Sequence, residues 1–224
     1  MKIGLLLIST GKYDRFVQPL LDSARQYFMK NHELTFFLFT DSERWNNEKD
    51  VVCIFKTHEP FPAPTLKRYE TFSSNESLFN DMDYLFYCDV DMLFVSEVGD
   101  EILSDRVATI HPGFMGGRGT PETRKESLAY VPQTQQMIYF AGGFNGGRTT
   151  VFLEMCRVLS NNIKKDLENN IIAIWHDESH MNRYFIDNPP TLKLTPAYCY
   201  PESWNLPFQK KLLALDKNHE EVRN

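Results

Sequence analysis

Short apolar runs recur along the first half of the chain, separated by stretches with helical spacing. The runs are KIGLLLIS (2–9), LTFFLFT (34–40), VVCIFKT (51–57) and YLFYCDVDMLFV (84–95). Runs of this length, without polar alternation, read as strands buried on both faces. Between the first two lies RFVQPLLDSARQYFMK, where Phe16, Leu20, Ala24, Tyr27 and Phe28 share one helical face. Asp14 can cap that helix, and Pro19 predicts that its regular part begins near the proline. After the stiff loop EPFPAP, TLKRYETFSSNESLF (65–79) predicts a second helix. Strand and helix alternation of this kind implies an α/β fold with a mostly parallel sheet at its start.

The second half continues with a strand over RVATIHP (106–112), then a loop over 112–136 rich in Gly, Pro and polar residues. Long loops in compact domains are often functional. MIYFAGG (137–143) predicts a strand and FNGG (144–147) a turn. RTTVFLEMCRVLSNNIKKDLEN (148–169) predicts a long helix. HDESHMNRYFID (176–187) predicts a shorter one, stopped by Asn188-Pro189-Pro190, and LKLTPAYCY (192–200) a late strand. From Leu215 onward the chain is polar and shows no obvious core face. Without repeats or linker, 224 residues suit a single domain.

A net charge of −6 gives no general pull towards nucleic acid or anionic membrane, so any phosphate site must be a local basic cluster. Cys53, Cys88, Cys156 and Cys199 form no CxxC pair and no zinc spacing, and read as free thiols in a reducing compartment. The opening MKIGLLLISTGKYD has no small-residue cleavage site, and no apolar run approaches the roughly 20 residues of a membrane span. The expectation is a soluble, cytoplasmic protein with no membrane span and no nucleic-acid partner.

Within the fourth run stand Asp89 and Asp91. Residues two apart on an extended segment point to one side, so both carboxylates can reach one cation. Hard oxygen ligands suit Mn²⁺ or Mg²⁺, which also bridge phosphate oxygens. An Asp-x-Asp ending a buried strand therefore suggests a metal holding a diphosphate, while the plain reading is a polar strand end. Haloacid-dehalogenase-type phosphatases also place Asp-x-Asp after a buried strand. They continue with Thr or Val where this chain has Leu93, and they open the domain with the motif.

Three other segments carry chemistry. IWHDESH (174–180) puts His176 and His180 on one helical face. A zinc-protease pattern needs Glu directly after the first His, and Asp177 stands there instead. Glu178 at a helix start could stabilise positive charge developing at a sugar carbon, with Asp177 holding sugar hydroxyls. In YFAGGFNGG (139–147), Gly142 and Gly143 allow close approach to the backbone. The tail carries Lys217 and Arg223, cations placed to order on an anionic diphosphate.

In order, STGKY (9–13), TLKRY (65–69), DVD (89–91), HPGF (111–114), YFAGG (139–143), WHDES (175–179) and KNHEEVRN (217–224) resemble glycosyltransferase family 6. That family includes the ABO blood-group transferases, the α1,3-galactosyltransferases and smaller bacterial relatives. The resemblance covers almost the whole chain, which is read as a bare catalytic domain. It implies a GT-A fold, a Rossmann-like mixed sheet flanked by helices. Residues 1–100 would be mainly the nucleotide-sugar half, 101–214 the acceptor and catalytic half, and 215–224 a C-terminal flap.

It also implies retaining transfer of GalNAc or Gal from UDP-GalNAc or UDP-Gal to the 3-OH of a β-galactoside acceptor, fucosylated by analogy with the A enzyme, forming an α1,3 bond. By matched position, Thr10 and Tyr13 would lie along the uridine, and Arg68 would contact donor sugar and diphosphate. Asp89 and Asp91 would bind Mn²⁺, or Mg²⁺, and the UDP phosphates. Ala141, Gly142 and Gly143 would line the donor pocket, Asp177 would hold the donor sugar, and Lys217 and Arg223 would close on the diphosphate. His111 and Trp175 would meet the acceptor, and Glu178 would be the nucleophile or cation stabiliser, beside the acceptor. Several bacterial members carry Asn-x-Asn and work without metal, whereas this chain keeps the aspartates. The blood-group A enzyme has Gly where this chain has Gly143 and the B enzyme has Ala, which favours UDP-GalNAc. Other classes to weigh are a DxD phosphohydrolase and a non-catalytic sugar-binding protein.

Overall fold

The computed structural model describes residues 1–223. Asn224 and the side chains of His219 and Arg223 lie outside the described residues. The strands of the main sheet are β1 (Lys2–Ser9), β2 (Glu33–Thr40), β3 (Val51–Phe55), β4 (Tyr84–Cys88), β6 (Arg106–Ile110), β7 (Phe140–Arg148) and β8 (Leu192–Leu194). Their spatial order is β3-β2-β1-β4-β7-β6-β8. The β3-β2-β1-β4 half is parallel, as the alternating pattern predicts. β7 then runs antiparallel to both β4 and β6, and β8 pairs parallel with β6. A mixed sheet results, covered by helices on both sides. A second, three-stranded sheet joins β5 (Met92–Phe94), β9 (Tyr200–Pro201) and β10 (Leu212–Ala214).

Alternation along the strands divides the core in two. On one face Ile3, Leu5 and Leu7 of β1 and Phe36 and Leu38 of β2 pack on α1 (Val17–Tyr27) through Leu20, Leu21 and Ala24. On the other, Leu6, Ile8, Phe37, Phe39, Leu85 and Tyr87 meet α3 (Arg68–Ser73), α4 (Thr149–Glu168) and α5 (His176–Asp187). Each buried aromatic of this size removes roughly 150–250 Å² from water. The 17 Phe and 10 Tyr of the chain supply much of this core.

Several sequence expectations need correcting. YLFYCDVDMLFV is not one strand: the chain leaves the main sheet after Cys88, and β5 joins the smaller sheet. The segment 65–79 is not one helix but α2 (Ala63–Leu66), α3 and a 3₁₀ turn at Glu76–Phe79. Asp14 does not cap α1 but accepts from Trp45 Nε1–H, whereas the helix does begin near Pro19, at Val17, with the proline in the first turn where its missing N–H has no intrahelical partner to lose. FNGG is not a turn but the body of β7, which begins at Phe140 rather than Met137. Glycine at position 146 is required by crowding: a Cβ there would meet the Leu85 carbonyl oxygen at 2.4 Å.

The tail also departs from expectation. Leu215 N–H continues the β5–β10 ladder onto the Asp91 carbonyl at 3.0 Å. Val222 in α6 (His219–Arg223) is only 3% exposed, so the segment has one core contact that its polarity concealed.

Candidate active site

The site forms where β4 ends. Tyr87 and Asp89 are two apart on the same face of the chain, so one interior pocket receives both. Asp89 N–H donates to the Gly143 carbonyl at 2.8 Å, extending the β4–β7 ladder one step past Cys88. At the same level β7 breaks step with β6. Asn145 pairs with Ala108, yet Thr109 pairs with Ala141, leaving residues 142–144 as a bulge. Bulges re-aim backbone groups, and this one presents both polar groups of Gly142 to the side chains of Glu178 and Arg68. Its N–H donates to Glu178 Oε2 at 2.7 Å, and its carbonyl accepts from Arg68 Nη1 at 2.8 Å.

Arg68 is the hub. It is 3% exposed, its guanidinium lies 4.1 Å over the Tyr87 ring, and it reaches Asp177 Oδ2 at 2.9 Å and Asp89 Oδ1 at 3.4 Å. Burial alone would lower its pKa, but Asp177, Tyr87, Asp89 and Tyr69 together outweigh it and keep the cation. The Asp177 contact is electrostatic, since neither atom is aligned for a hydrogen bond. Tyr87 also donates its hydroxyl to Asp89 Oδ1.

Asp177 and Glu178 occupy the first turn of α5, next to the unpaired N–H groups of that helix. The turn is set up by His176 in a left-handed conformation (φ 51°) and by Ser179, whose Oγ accepts from Trp175 N–H at 3.0 Å. His176 packs edge-on to Phe61 at 5.1 Å, while His180 is buried against Asp166. The two histidines serve different surroundings, and no zinc pair forms from them. Burial pushes Asp177 up to about 6 against the pull of Arg68. Burial likewise pushes Glu178 up to about 7, opposed by the Gly142 N–H and the Tyr139 hydroxyl.

Beyond this network lies a cleft lined by Thr10, Tyr13, His58, Phe61, Asp89, Asp91 and Lys217, among others. Five residues expected along a nucleotide diphosphate thus border one space. Asp91 is paired with Lys217 Nζ. Among the described residues no group of three or more His, Cys, Asp or Glu is placed to hold a metal ion. Two hard carboxylates on one cleft nonetheless suit Mn²⁺ or Mg²⁺, which commonly take one or two carboxylates and fill the rest with phosphate oxygens and water.

On the other side His111 Nδ1 accepts from Gly113 N–H at 3.0 Å, so the neutral ring carries its proton on Nε2. Its ring packs on Phe114 at 4.7 Å and Tyr139 at 5.8 Å. Trp175 is 48% exposed and held by Nε1–H to Thr120 Oγ1 at 2.7 Å. Ala141 is buried within β7. A Cβ on Gly143 would meet Asp89 Oδ2 at 3.1 Å, Met92 Sδ at 3.4 Å and Cys199 Sγ at 3.5 Å. The room at that position is therefore bounded by Asp89 itself. The Arg223 side chain, also expected on the diphosphate, is outside the described residues.

Sequence reasoning missed Tyr87, His58, Tyr139, Thr120 and Trp204. Tyr87 carried a signal in its spacing from Asp89. Trp204, which is 47% exposed and packs near Gly113, carried none.

The sequence profile of Glycosyltransferase family 6 matches residues 1–224. The chain belongs to glycosyltransferase family 6. Its relatives include rat Histo-blood group ABO system transferase 1, 34% identical over 99% of this chain and 68% of that protein. Another is chicken Globoside alpha-1,3-N-acetylgalactosaminyltransferase 1, 33% identical over 100% of this chain and 70% of its own. A third is the Escherichia coli O-antigen biosynthesis glycosyltransferase WbnI, 30% identical over 98% and 97%. Family 6 membership makes this protein a glycosyltransferase acting on a nucleotide-sugar donor and a glycan acceptor. No helix among the described residues is long and apolar enough to cross a membrane.

Proposed function

We propose that this glycosyltransferase moves GalNAc from UDP-GalNAc, with UDP-Gal as the second donor, to the 3-OH of a β-galactoside, forming an α1,3 bond with retention. The observation that carries this reading is the unbroken network from Asp89 through Arg68 to Asp177 and, through Gly142, to Glu178. One cation thus links the carboxylate at the diphosphate cleft to the helix turn that holds the catalytic carboxylate. The name of the chicken relative favours an α1,3 linkage and a GalNAc donor.

Each residue then has a task. Thr10 and Tyr13 take the nucleoside end of the cleft. Asp89 and Asp91 would hold Mn²⁺, which supplies charge to neutralise the diphosphate as it leaves. Lys217, with Arg223 by matched position, adds cations at the same leaving group. Asp177 takes donor hydroxyls, fixed by Arg68. Glu178 must be ionised to shield or attack the anomeric carbon as its bond to the phosphate oxygen breaks. The Gly142 N–H and Tyr139 hydroxyl favour that ionised form. His111 and Trp175 would receive the acceptor.

The test is incubation with each UDP-sugar, Mn²⁺ and a panel of galactosides with and without fucose, reading UDP release and the product linkage by NMR. An α1,3-GalNAc product supports the proposal. Transfer only from UDP-Gal overturns the donor choice, and a β product overturns retention.

A further inference from the structure

The two carboxylates of the Asp-Val-Asp segment are each neutralised, but by cations of different standing. Asp89 faces Arg68, which cannot leave: it is 3% exposed and also tied to the Gly142 carbonyl and Asp177. Asp91 faces Lys217, whose side chain is 18% exposed and sits on the C-terminal tail. The tail reaches that place through the β5–β10 ladder, which ends with Leu215 N–H on the Asp91 carbonyl. Further anchors lie beyond it, with Asp216 N–H on Glu202 Oε2 at 2.9 Å and Arg15 on Glu221 at 2.8 Å. The backbone register therefore delivers a flexible four-carbon ammonium to the carboxylate that a divalent cation would use. A Lys side chain can swing to a new partner without moving that ladder.

We propose that Lys217 is a built-in competitor for the cation position at Asp91: it neutralises Asp91 in the ligand-free enzyme, gives way to the divalent metal, and transfers to the donor diphosphate as the two arrive together. The inference rests on the donor site proposed above. Metal alone must displace Lys217 from Asp91. Metal with a nucleoside diphosphate offers Lys217 a new anion in exchange. Metal and nucleotide therefore bind cooperatively, and Lys217 is the source of the coupling.

The experiment is Mn²⁺ titration of the full chain, free Mn²⁺ being read by electron paramagnetic resonance, with and without saturating UDP. The proteins are wild type, Lys217→Met and Lys217→Arg. Without UDP, Lys217→Met is expected to bind Mn²⁺ about tenfold tighter than wild type, the equivalent of one charge-assisted pair. Lys217→Arg keeps a cation and should retain the weak wild-type binding. UDP should strengthen Mn²⁺ binding more in wild type than in Lys217→Met. Equal or weaker Mn²⁺ binding by Lys217→Met without UDP overturns the competition and leaves the transferase reading intact. If UDP binds but neither protein takes Mn²⁺ in its presence, the metal reading of Asp89 and Asp91 falls, and this inference with it.

Discussion

Replacing Glu178 by Gln should make the protein more stable at pH 8 while it abolishes most turnover. The free carboxyl ionises near 4.5, and burial in the folded protein moves it up to about 7. Between those values the unfolded chain has lost the proton and the folded protein still holds it. The unfolded state then binds fewer protons, so stability falls as pH rises through that window. By pH 8 the full cost is present, and a shift of this size corresponds to about 3 kcal/mol. Glutamine carries no such cost and its carbonyl still accepts from the Gly142 N–H, though the neutral bond is weaker by about 1 kcal/mol. The net gain is about 2 kcal/mol, or roughly 4–8 °C in Tm for a chain of this length. The assay is thermal denaturation of both proteins in EDTA at pH 4.5, 6 and 8. The increment should be near zero or negative at pH 4.5 and grow to its full size by pH 8. A Tm difference independent of pH, or a loss of Tm at pH 8, refutes the electrostatic account of this carboxylate. The same variant should lose about a hundredfold or more in kcat with donor binding retained, because the charge acts on the transition state rather than the ground state.

The remaining predictions use the same network. For wild type, kcat/KM for the donor should fall below pH about 7 as Glu178 takes up its proton, and a profile flat from pH 5 to 8 counts against its role. Gly143→Ala places a methyl 3.1 Å from Asp89 Oδ2, so Mn²⁺ affinity should drop by about threefold or more along with activity on both donors. A change in donor preference with metal affinity untouched would show that the methyl meets only the sugar. Arg68→Met leaves Asp177 buried without its cation and should cost about 3 kcal/mol or more in urea unfolding at pH 8, and less at pH 5, where Asp177 takes up a proton. Excess EDTA should reduce turnover by about tenfold or more and Mn²⁺ should restore it. Undiminished turnover in EDTA removes the metal from the reaction.

The parallel half of the sheet was legible because buried strands declare themselves as unbroken apolar runs: β1, β2 and β3 fall close to where those runs predict them, and β4 begins where the fourth run begins. The antiparallel half was not. β7 reads as a strand and a turn because FNGG is turn chemistry locally. Its glycines are there because Leu85, Phe86 and Asp105 press on positions 146 and 147, a constraint from distant parts of the chain. The candidate site was legible in its charged residues, since a carboxylate within an apolar stretch must have a partner. Its neutral members were hidden. The Gly142 bulge, the Tyr139 hydroxyl and the Thr120 anchor of Trp175 depend on register and loop path, which side-chain type does not encode.

The charge balance of the site is what gives the Asp-Val-Asp pair its sense. Asp89, Asp91, Asp177 and Glu178 converge on one region, and Arg68 and Lys217 are the cations that contact them among the described residues. With all four ionised, carboxylates outnumber cations two to one before any ligand binds. A nucleoside diphosphate adds further negative charge, and each isolated buried charge is costly. Burial is the main reason that Asp177 and Glu178 are raised, and a neighbouring carboxylate adds to each, Asp89 for Asp177 and Asp177 for Glu178, so the ligand-free site favours holding protons. A divalent cation held by Asp89 and Asp91 would supply positive charge without protons, and would let Glu178 give its proton up. Such a cation would act twice, once on the leaving group and once by restoring the charge that Glu178 needs. The acid limb of the pH profile should therefore move below 7 as Mn²⁺ is raised to saturation with donor bound. A limb that stays in place at every Mn²⁺ concentration would confine the metal to the leaving group.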